Sequence, residues 1–310
     1  MTNVSMGFSK KRKKIVKKMY NNPVNSVNSV NSVNSILMFN YNSIYHIHNL
    51  YGLGDSVFNI LFFYNIKEYL CSNNIKIIYY VKPAYFSQLN EFICCDNVVL
   101  APLDTRPNNS VDLWIENDIF GITWSRVKHY PIRTPQKVVY DKFYSDFFKS
   151  VLKTLKINYK LDTTYFSYKD TELIDRYNNL CDKYKDFDIL ILNSTPMSGQ
   201  YTYNKHIWDA HIMILSKHFK IVTTTKVDKN ILCTFDENMS IKDIAALSTK
   251  AKVVIAINSG VVPGLLNYYT LKNVKRFYTF DYGCCYSYPN FEDIQCLSDI
   301  TIEELSKYIV

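Results

Sequence analysis

The stretch Tyr51-Gly52-Leu53-Gly54-Asp55-Ser56 follows a β-like run, Ile44 to Leu50, and opens an amphipathic run from Ser56 to Leu70. A strand, a two-glycine turn and a helix start together make a corner suited to an anion or a sugar. Glycines let the backbone approach a ligand closely, and the free N–H groups of a helix start favour negative charge. Asp55 stands at this corner, where a carboxylate can take a proton from a hydroxyl. Asp is also a good helix N-cap, and that role alone would account for it. The spacing is not Gly-x-Gly-x-x-Gly, so the ordinary dinucleotide fingerprint does not apply.

Outward from this corner the chain alternates between strand-like and helix-like segments. Strands are expected at Ile44–Leu50, Ile75–Val81, Asn97–Leu100 and Val111–Glu116, and helices at Ser56–Leu70, Tyr85–Ile93 and Tyr140–Leu155. Leu161–Asp182 is polar and irregular and suits a crossing between domains. A second alternation follows, with strands at Asp188–Leu192, Phe219–Thr224, Ile231–Phe235, Val253–Ile257 and Arg276–Phe280. Its helices fall at Lys205–His218, Ile241–Lys250 and Val262–Leu271, with Ser240 and Asp243 spaced as a capping box. Uninterrupted apolar strands such as Val253–Ile257 suit a parallel sheet covered on both faces. Two such sets predict an α/β chain of two doubly wound, Rossmann-like domains facing a cleft, over residues 36–175 and 176–310.

Residues 1–35 stand apart. Residues 10–18 carry seven positive charges out of a net +8, leaving about +1 for everything else. Four Val-Asn-Ser copies follow, Val24 to Ser35. A basic arm and a low-complexity linker, both disordered, are the expectation. The arm suits a weak polyanion contact or a nuclear-targeting signal, whereas a nucleic-acid-binding face on the folded body is disfavoured. No apolar run reaches the ~18 residues of a membrane span, and the basic N-terminus lacks the apolar segment of a secretory signal. The eight cysteines are scattered without a Cys-x-x-Cys pair, so reduced thiols and a soluble, cytoplasmic protein are expected.

In open parallel sheets ligands collect beyond the carboxyl ends of the strands. In the second set those ends are polar: Asn193-Ser194-Thr195, Thr223-Thr224-Thr225-Lys226, Asn258-Ser259-Gly260 and Asp281. Asn258-Ser259-Gly260 is the sharpest. Ser259 or Gly260 would cap a helix with Pro263 in its first turn, offering N–H groups and a hydroxyl to a phosphate. Ser259 as a cap and nothing more is the plainer alternative.

The two corners and the order of elements around them resemble the ADP-heptose:lipopolysaccharide heptosyltransferase-like enzymes, glycosyltransferase family 9, which have a GT-B fold. Gly52-Leu53-Gly54-Asp55 matches the family's early turn, and Asn258-Ser259-Gly260 matches most of its late Asp-Ser/Thr-Gly turn. Ile241–Leu247 looks like the intervening helix, and Trp208 also fits the pattern. The resemblance implies transfer of a sugar from a nucleotide-diphosphate donor to an acceptor hydroxyl on a glycan, glycolipid or glycoprotein, inverting and without a metal or other cofactor. It makes Asp55 the general base, with Gly52, Gly54 and Ser56 on the acceptor side. Ser259 and Gly260 would hold the diphosphate, with Ser194, Thr195, Thr225 and Asn258 on the donor side. Lys205 would add positive charge there, a role Lys226 or Lys229 could also fill. Two positions depart from the pattern: Asn258 stands where the family has Asp, and Pro263 where it has His.

Other signals have ordinary explanations. Asp186-Phe187-Asp188 matches the metal-binding Asp-x-Asp pattern, yet it lies at the incoming end of a strand, away from the ligand edge. His46 and His48 share a strand face but lack a third ligand. Phe62 and Phe63 have core spacing, Tyr201 and Tyr203 are open to stacking on a sugar or base, and Cys284 and Cys285 lack a partner base. Two rival functions remain: a catalytically inactive sugar- or nucleotide-binding relative, and a nucleic-acid-associated protein using its basic arm.

Overall fold

The computed structural model describes residues 42–49, 52–104, 111–112, 138–161, 167–197, 201–281 and 284–294. The basic arm and the Val-Asn-Ser repeat lie outside them. Tyr41–Val310 form one compact unit.

Its first sheet opens with β1 (Ser43–Asn49), which turns through Gly52 into α1 (Leu53–Asn65) and α2 (Lys67–Ser72). Next come β2 (Ile75–Val81), α3 (Pro83–Asn90), β3 (Val98–Pro102) and β4 (Val111–Asp112). The four strands are parallel, in the order β3-β2-β1-β4. After β5 (Val138–Val139) and α4 (Tyr140–Thr154), the chain passes through α5 (Glu172–Asn178). The second sheet then builds from β6 (Ile189–Leu192), α6 (Lys205–Leu215), β7 (Ile221–Thr223), β8 (Leu232–Cys233), α7 (Ile241–Ser248) and β9 (Val253–Ile257). It finishes with α8 (Tyr268–Asn273), β10 (Arg276–Phe280), β11 (Cys284–Cys285) and β12 (Phe291–Ile294). Its order is β12-β10-β9-β6-β7-β8, again all parallel, while β11 pairs with β5.

The apolar strands behave as their composition dictates. Every residue of β6 and of β9 is buried, which requires cover on both faces. On one face, Trp208, Ile212 and Leu215 of α6 pack with Tyr201 and Phe280. The other face belongs to a hydrophobic cluster that runs on through α1, α4 and the first sheet. Phe62 stacks on Phe148 at 4.0 Å and Phe58 on Tyr144 at 3.8 Å, locking α1 against α4. Side chains of this size contribute about 1.5–3 kcal/mol each on burial.

Several expected elements change on folding. The long first helix starts earlier, at Leu53, and breaks at Ile66. The crossing segment is not wholly irregular, since α5 lies within it. The predicted Val262–Leu271 helix is a single 3-10 turn, Val262–Leu265, followed by the separate α8. The cause is tertiary. The Leu266 carbonyl accepts from the Tyr168 N–H, and the Tyr168 carbonyl accepts from the Tyr268 N–H, so this stretch bridges to a distant segment. Asn267 then recaps the chain by accepting from the Thr270 N–H at 2.9 Å. Residues 113–116 of the expected fourth strand lie outside the described residues.

Polar clamps join α7, which opens with the expected Ser240/Asp243 capping box, to the end of α3. The Ile241 N–H donates to Gln88 Oε1 at 2.8 Å and Ser240 Oγ to Glu91 at 2.9 Å. Arg176 spans Glu91 and Asp243, reaching the latter at 2.6 Å. Beneath them Lys242, only 4% exposed, pairs with Asp170 at 3.2 Å and donates to the Glu91 carbonyl at 2.9 Å.

Candidate functional site

The carboxyl edges of both sheets carry the polar residues singled out in the sequence. At the first, β1 ends at Asn49 and α1 begins after Gly52. Asp55 is not the N-cap. It occupies the third helical position and reaches back, Oδ2 accepting from the Gly52 N–H at 3.1 Å. Its other oxygen accepts from the Tyr144 hydroxyl at 2.7 Å. Ser56 turns inward, fully buried, and its hydroxyl donates to the Gly52 carbonyl at 3.2 Å. Ser56 therefore braces the turn rather than facing an acceptor.

Asp55 itself keeps partial exposure while dense packing strips its carboxylate of water. Burial raises its pKa, and the hydrogen bonds from Tyr144 and Gly52, with the charge of Lys82, work in the opposite direction. A carboxyl raised above its ordinary value is a stronger base when ionised, which suits proton abstraction from a hydroxyl. Each oxygen accepts one hydrogen bond in these contacts and retains a second lone pair.

The second corner meets the first directly. A Cβ on Gly54 would lie 3.3 Å from Gly260 Cα, and one on Gly260 would lie 3.0 Å from Leu53 Cβ and 3.1 Å from the Gly54 nitrogen. The glycines at 54 and 260 let two backbones touch, where the sequence suggested room for a ligand's close approach. Segments more than two hundred residues apart thus share one corner, with Asp55 and Ser259 each one residue from the contact. Ser259 Oγ is buried and has no hydrogen-bond partner among the described residues.

Ser259 and Gly260 do not cap an α-helix. They precede the 3-10 turn, so the expected helix N-terminus and its dipole are missing from this corner. Asn258 is buried and held on two sides: Nδ2 donates to Asp281 at 2.7 Å, and Oδ1 accepts from the Tyr286 hydroxyl at 3.2 Å. The carboxylate missing at position 258 is thereby present one strand over, behind the asparagine.

The remaining donor-side residues cluster around the point where strand order reverses in the second sheet. Strands β6 and β9 are neighbours, with Leu192 opposite Ala256, so Asn193-Ser194 and Asn258-Ser259 leave the sheet side by side. This reversal is where doubly wound sheets bind ligands. Asn193, fully buried, accepts from the backbone N–H groups of Thr224 and Thr225 at 3.1 and 2.9 Å. Thr225 Oγ1 donates to the Asn193 carbonyl at 2.9 Å. Ser194 is half-buried and Thr195 exposed beside it. Lys205 lies further out, half-exposed, paired with Asp209 and donating to the Lys226 carbonyl at 2.9 Å. Lys226 pairs with Asp236 at 3.3 Å.

The other motifs resolve into structural roles. Asp186 pairs with Lys220, and Asp188 with Lys252 at 2.6 Å, so each carboxylate of the Asp-x-Asp sequence faces an ammonium. His46 is exposed and bonds the Tyr80 hydroxyl at 3.0 Å, whereas His48 is buried. Tyr201 packs into the core against Trp208 and Phe280 instead of waiting on the surface for a ring to stack. Among the described residues no group of three or more His, Cys, Asp or Glu is arranged to hold a metal, and no helix is long and apolar enough to cross a membrane.

Tyr144 and Tyr286 escaped the sequence. With 26 tyrosines in the chain, nothing in local pattern distinguishes these two. Removing the Tyr144 hydroxyl deletes an interaction that favours ionised Asp55, so Tyr144→Phe should raise that carboxyl further. Any activity requiring the carboxylate should then need higher pH, its acid limb moving upward with little change at the alkaline plateau. A pH–rate profile checks the direction, and an acid limb that stays put would separate Tyr144 from Asp55.

No family model matches this chain, and no curated protein matches it in sequence. Solved structures do. That of E. coli heptosyltransferase WaaC with ADP-2-deoxy-2-fluoro heptose matches at 12% identity and a TM-score of 0.54, covering 86% of this chain and 98% of that one. E. coli heptosyltransferase WaaC with ADP matches at 12% identity and 0.53, covering 86% and 96%. At such identity the likeness is one of architecture: the chain has the GT-B fold of these heptosyltransferase structures.

Proposed function

We propose that this protein is a glycosyltransferase that moves a sugar from a nucleotide-diphosphate donor to an acceptor hydroxyl, with inversion and without a metal ion. The observation that carries this reading is the Gly54–Gly260 backbone contact, which brings together the two segments that carry Asp55 and Ser259. In the mechanism, Asp55 takes the proton as the acceptor oxygen attacks the anomeric carbon. The bond from that carbon to the diphosphate oxygen breaks, and the nucleoside diphosphate leaves. One displacement from the face opposite the leaving group inverts the centre. Ser259 and the backbone around Gly260 bind the diphosphate, with Ser194 and Thr195 beside them and Lys205 supplying charge at the rim. The WaaC structures of like fold hold ADP and an ADP-sugar, which supports a nucleotide-diphosphate donor. The acceptor is a glycan, glycolipid or glycoprotein hydroxyl, and residues 10–18 add a polyanion contact.

A second reading, a sugar-nucleotide-binding protein without turnover, is favoured by the departures at Asn258 and Pro263. Thermal denaturation with UDP-, GDP-, ADP- and dTDP-sugars, followed by assay for released nucleoside diphosphate, separates the two. A bound donor at a hundredfold excess over its Kd adds about 2.7 kcal/mol of stability. Stabilisation with release on adding acceptor supports the transferase, and stabilisation without release supports the second reading. No stabilisation by any of them overturns both.

A further inference from the structure

Strand β5 runs straight into α4, and where the strand stops a carboxylate takes over its pairing. The parallel ladder sets Val138 against Cys284 and Val139 against Cys285. From Tyr140 the backbone turns into α4, so its carbonyls go to helix bonds and no longer serve the ladder. Asp141 replaces them at the same offset of 146 residues. Its Oδ1 accepts from the Ser287 N–H at 2.8 Å, and its Oδ2 from the Ser287 hydroxyl. The carboxyl group is fully buried in the first turn of a 15-residue helix, where the free N–H groups favour negative charge.

Both ends of this clamp lead to the shared corner. Tyr144 follows Asp141 by three residues, which puts it on the same helix face, and its hydroxyl donates to Asp55. Tyr286 precedes Ser287, and its hydroxyl donates to Asn258, which in turn donates to Asp281. The chain beyond the clamp is anchored as well. Buried Tyr288 packs on Phe291 at 4.8 Å, and its carbonyl accepts from the Phe291 N–H at 3.0 Å. Phe291 belongs to β12, which pairs with β10, the strand that ends beside Asp281.

We propose that Asp141 is a positioning residue that holds the two halves of the corner together, acting on Asp55 through Tyr144 and on Asn258 through Tyr286. Its consequence for catalysis rests on the transferase reading above. Asp141 itself touches no reacting atom. The stacked rings of Phe58 and Tyr144 hold α4 against α1 but tolerate sliding along the ring planes. A hydrogen bond of 2.7 Å from Tyr144 to Asp55 does not, because such bonds weaken steeply once stretched or bent. Fixing the first turn of α4 to Ser287 removes that freedom along the helix axis.

Two measurements on the full chain test this. The first compares amide hydrogen exchange of the parent and Asp141→Ala without nucleotide. Exchange at Gly52–Ser56 and at Asn258–Val262 should rise together by about tenfold, while α6 stays unchanged. Asp141→Asn, which keeps an acceptor for the Ser287 N–H, should exchange close to the parent. Ser287→Ala, a milder loss that serves if Asp141→Ala does not fold, should affect the same two segments by less. The second is kinetic. In Asp141→Ala kcat for transfer should fall about tenfold, but by under about twofold when Tyr144→Phe is already present, since coupled residues are not additive. Faster exchange confined to the clamp, an equal rise in α6, or a kcat loss that multiplies fully with that of Tyr144→Phe would overturn the proposal. Exchange needs no substrate, so a chain that transfers no sugar would sink the transferase reading while exchange still decides the role of Asp141.

Discussion

Replacing Asp55 by Asn is expected to slow sugar transfer by about 10²–10⁴-fold, the usual contribution of a positioned general base. The substitution keeps the shape of the side chain. Its amide oxygen can still accept from the Gly52 N–H, and the Tyr144 hydroxyl can rotate to accept from the new amide. Burial disfavours the charged form of Asp55, so a neutral isostere should leave the fold at least as stable. Donor affinity, which the reading assigns to the second sheet, should be nearly unchanged. The measurements are kcat with saturating donor and the donor Kd by calorimetry. An unchanged kcat would remove Asp55 as the base, and a large loss of donor affinity would move the donor onto the first corner.

The second large effect concerns stability. Lys242→Ala should cost about 3–5 kcal/mol, the range found when one partner of a buried ion pair is removed. Asp170, at 1% exposure, would be left without its cation. Glu172, largely exposed, can turn to water and adds little to the loss. Replacing both partners by apolar or neutral side chains should recover much of the deficit, because the cost lies in the orphaned charge. Urea unfolding of Lys242→Ala and of a Lys242→Met, Asp170→Asn double variant checks both statements. A single variant as stable as the parent would mean that the pair does not hold α7 against the crossing segment.

Much of this architecture was legible because it rests on local pattern. Ile75–Val81, Val253–Ile257 and Arg276–Phe280 are strands over the expected residues, since continuous β-branched and aromatic runs have few other ways to be buried. The capping box at Ser240 was equally plain. What failed was decided at long range. No feature of Val262–Leu271 foretells that Tyr168 will pair with its backbone and break the helix. The two glycine corners were visible separately. Their contact, and the reason each must be glycine, appears only when β9 and α1 are brought together. The partners of Asp55 and Asn258 lie 89 and 23 residues away, beyond any spacing rule.

Amide hydrogen exchange with and without a nucleotide sugar tests the shared corner most directly. If the two segments make one site, a donor that binds should slow exchange at Gly52–Ser56 and at Asn258–Val262 together, whether or not acceptor is present. Protection confined to one of these segments, or lying wholly elsewhere on the protein, would contradict the account.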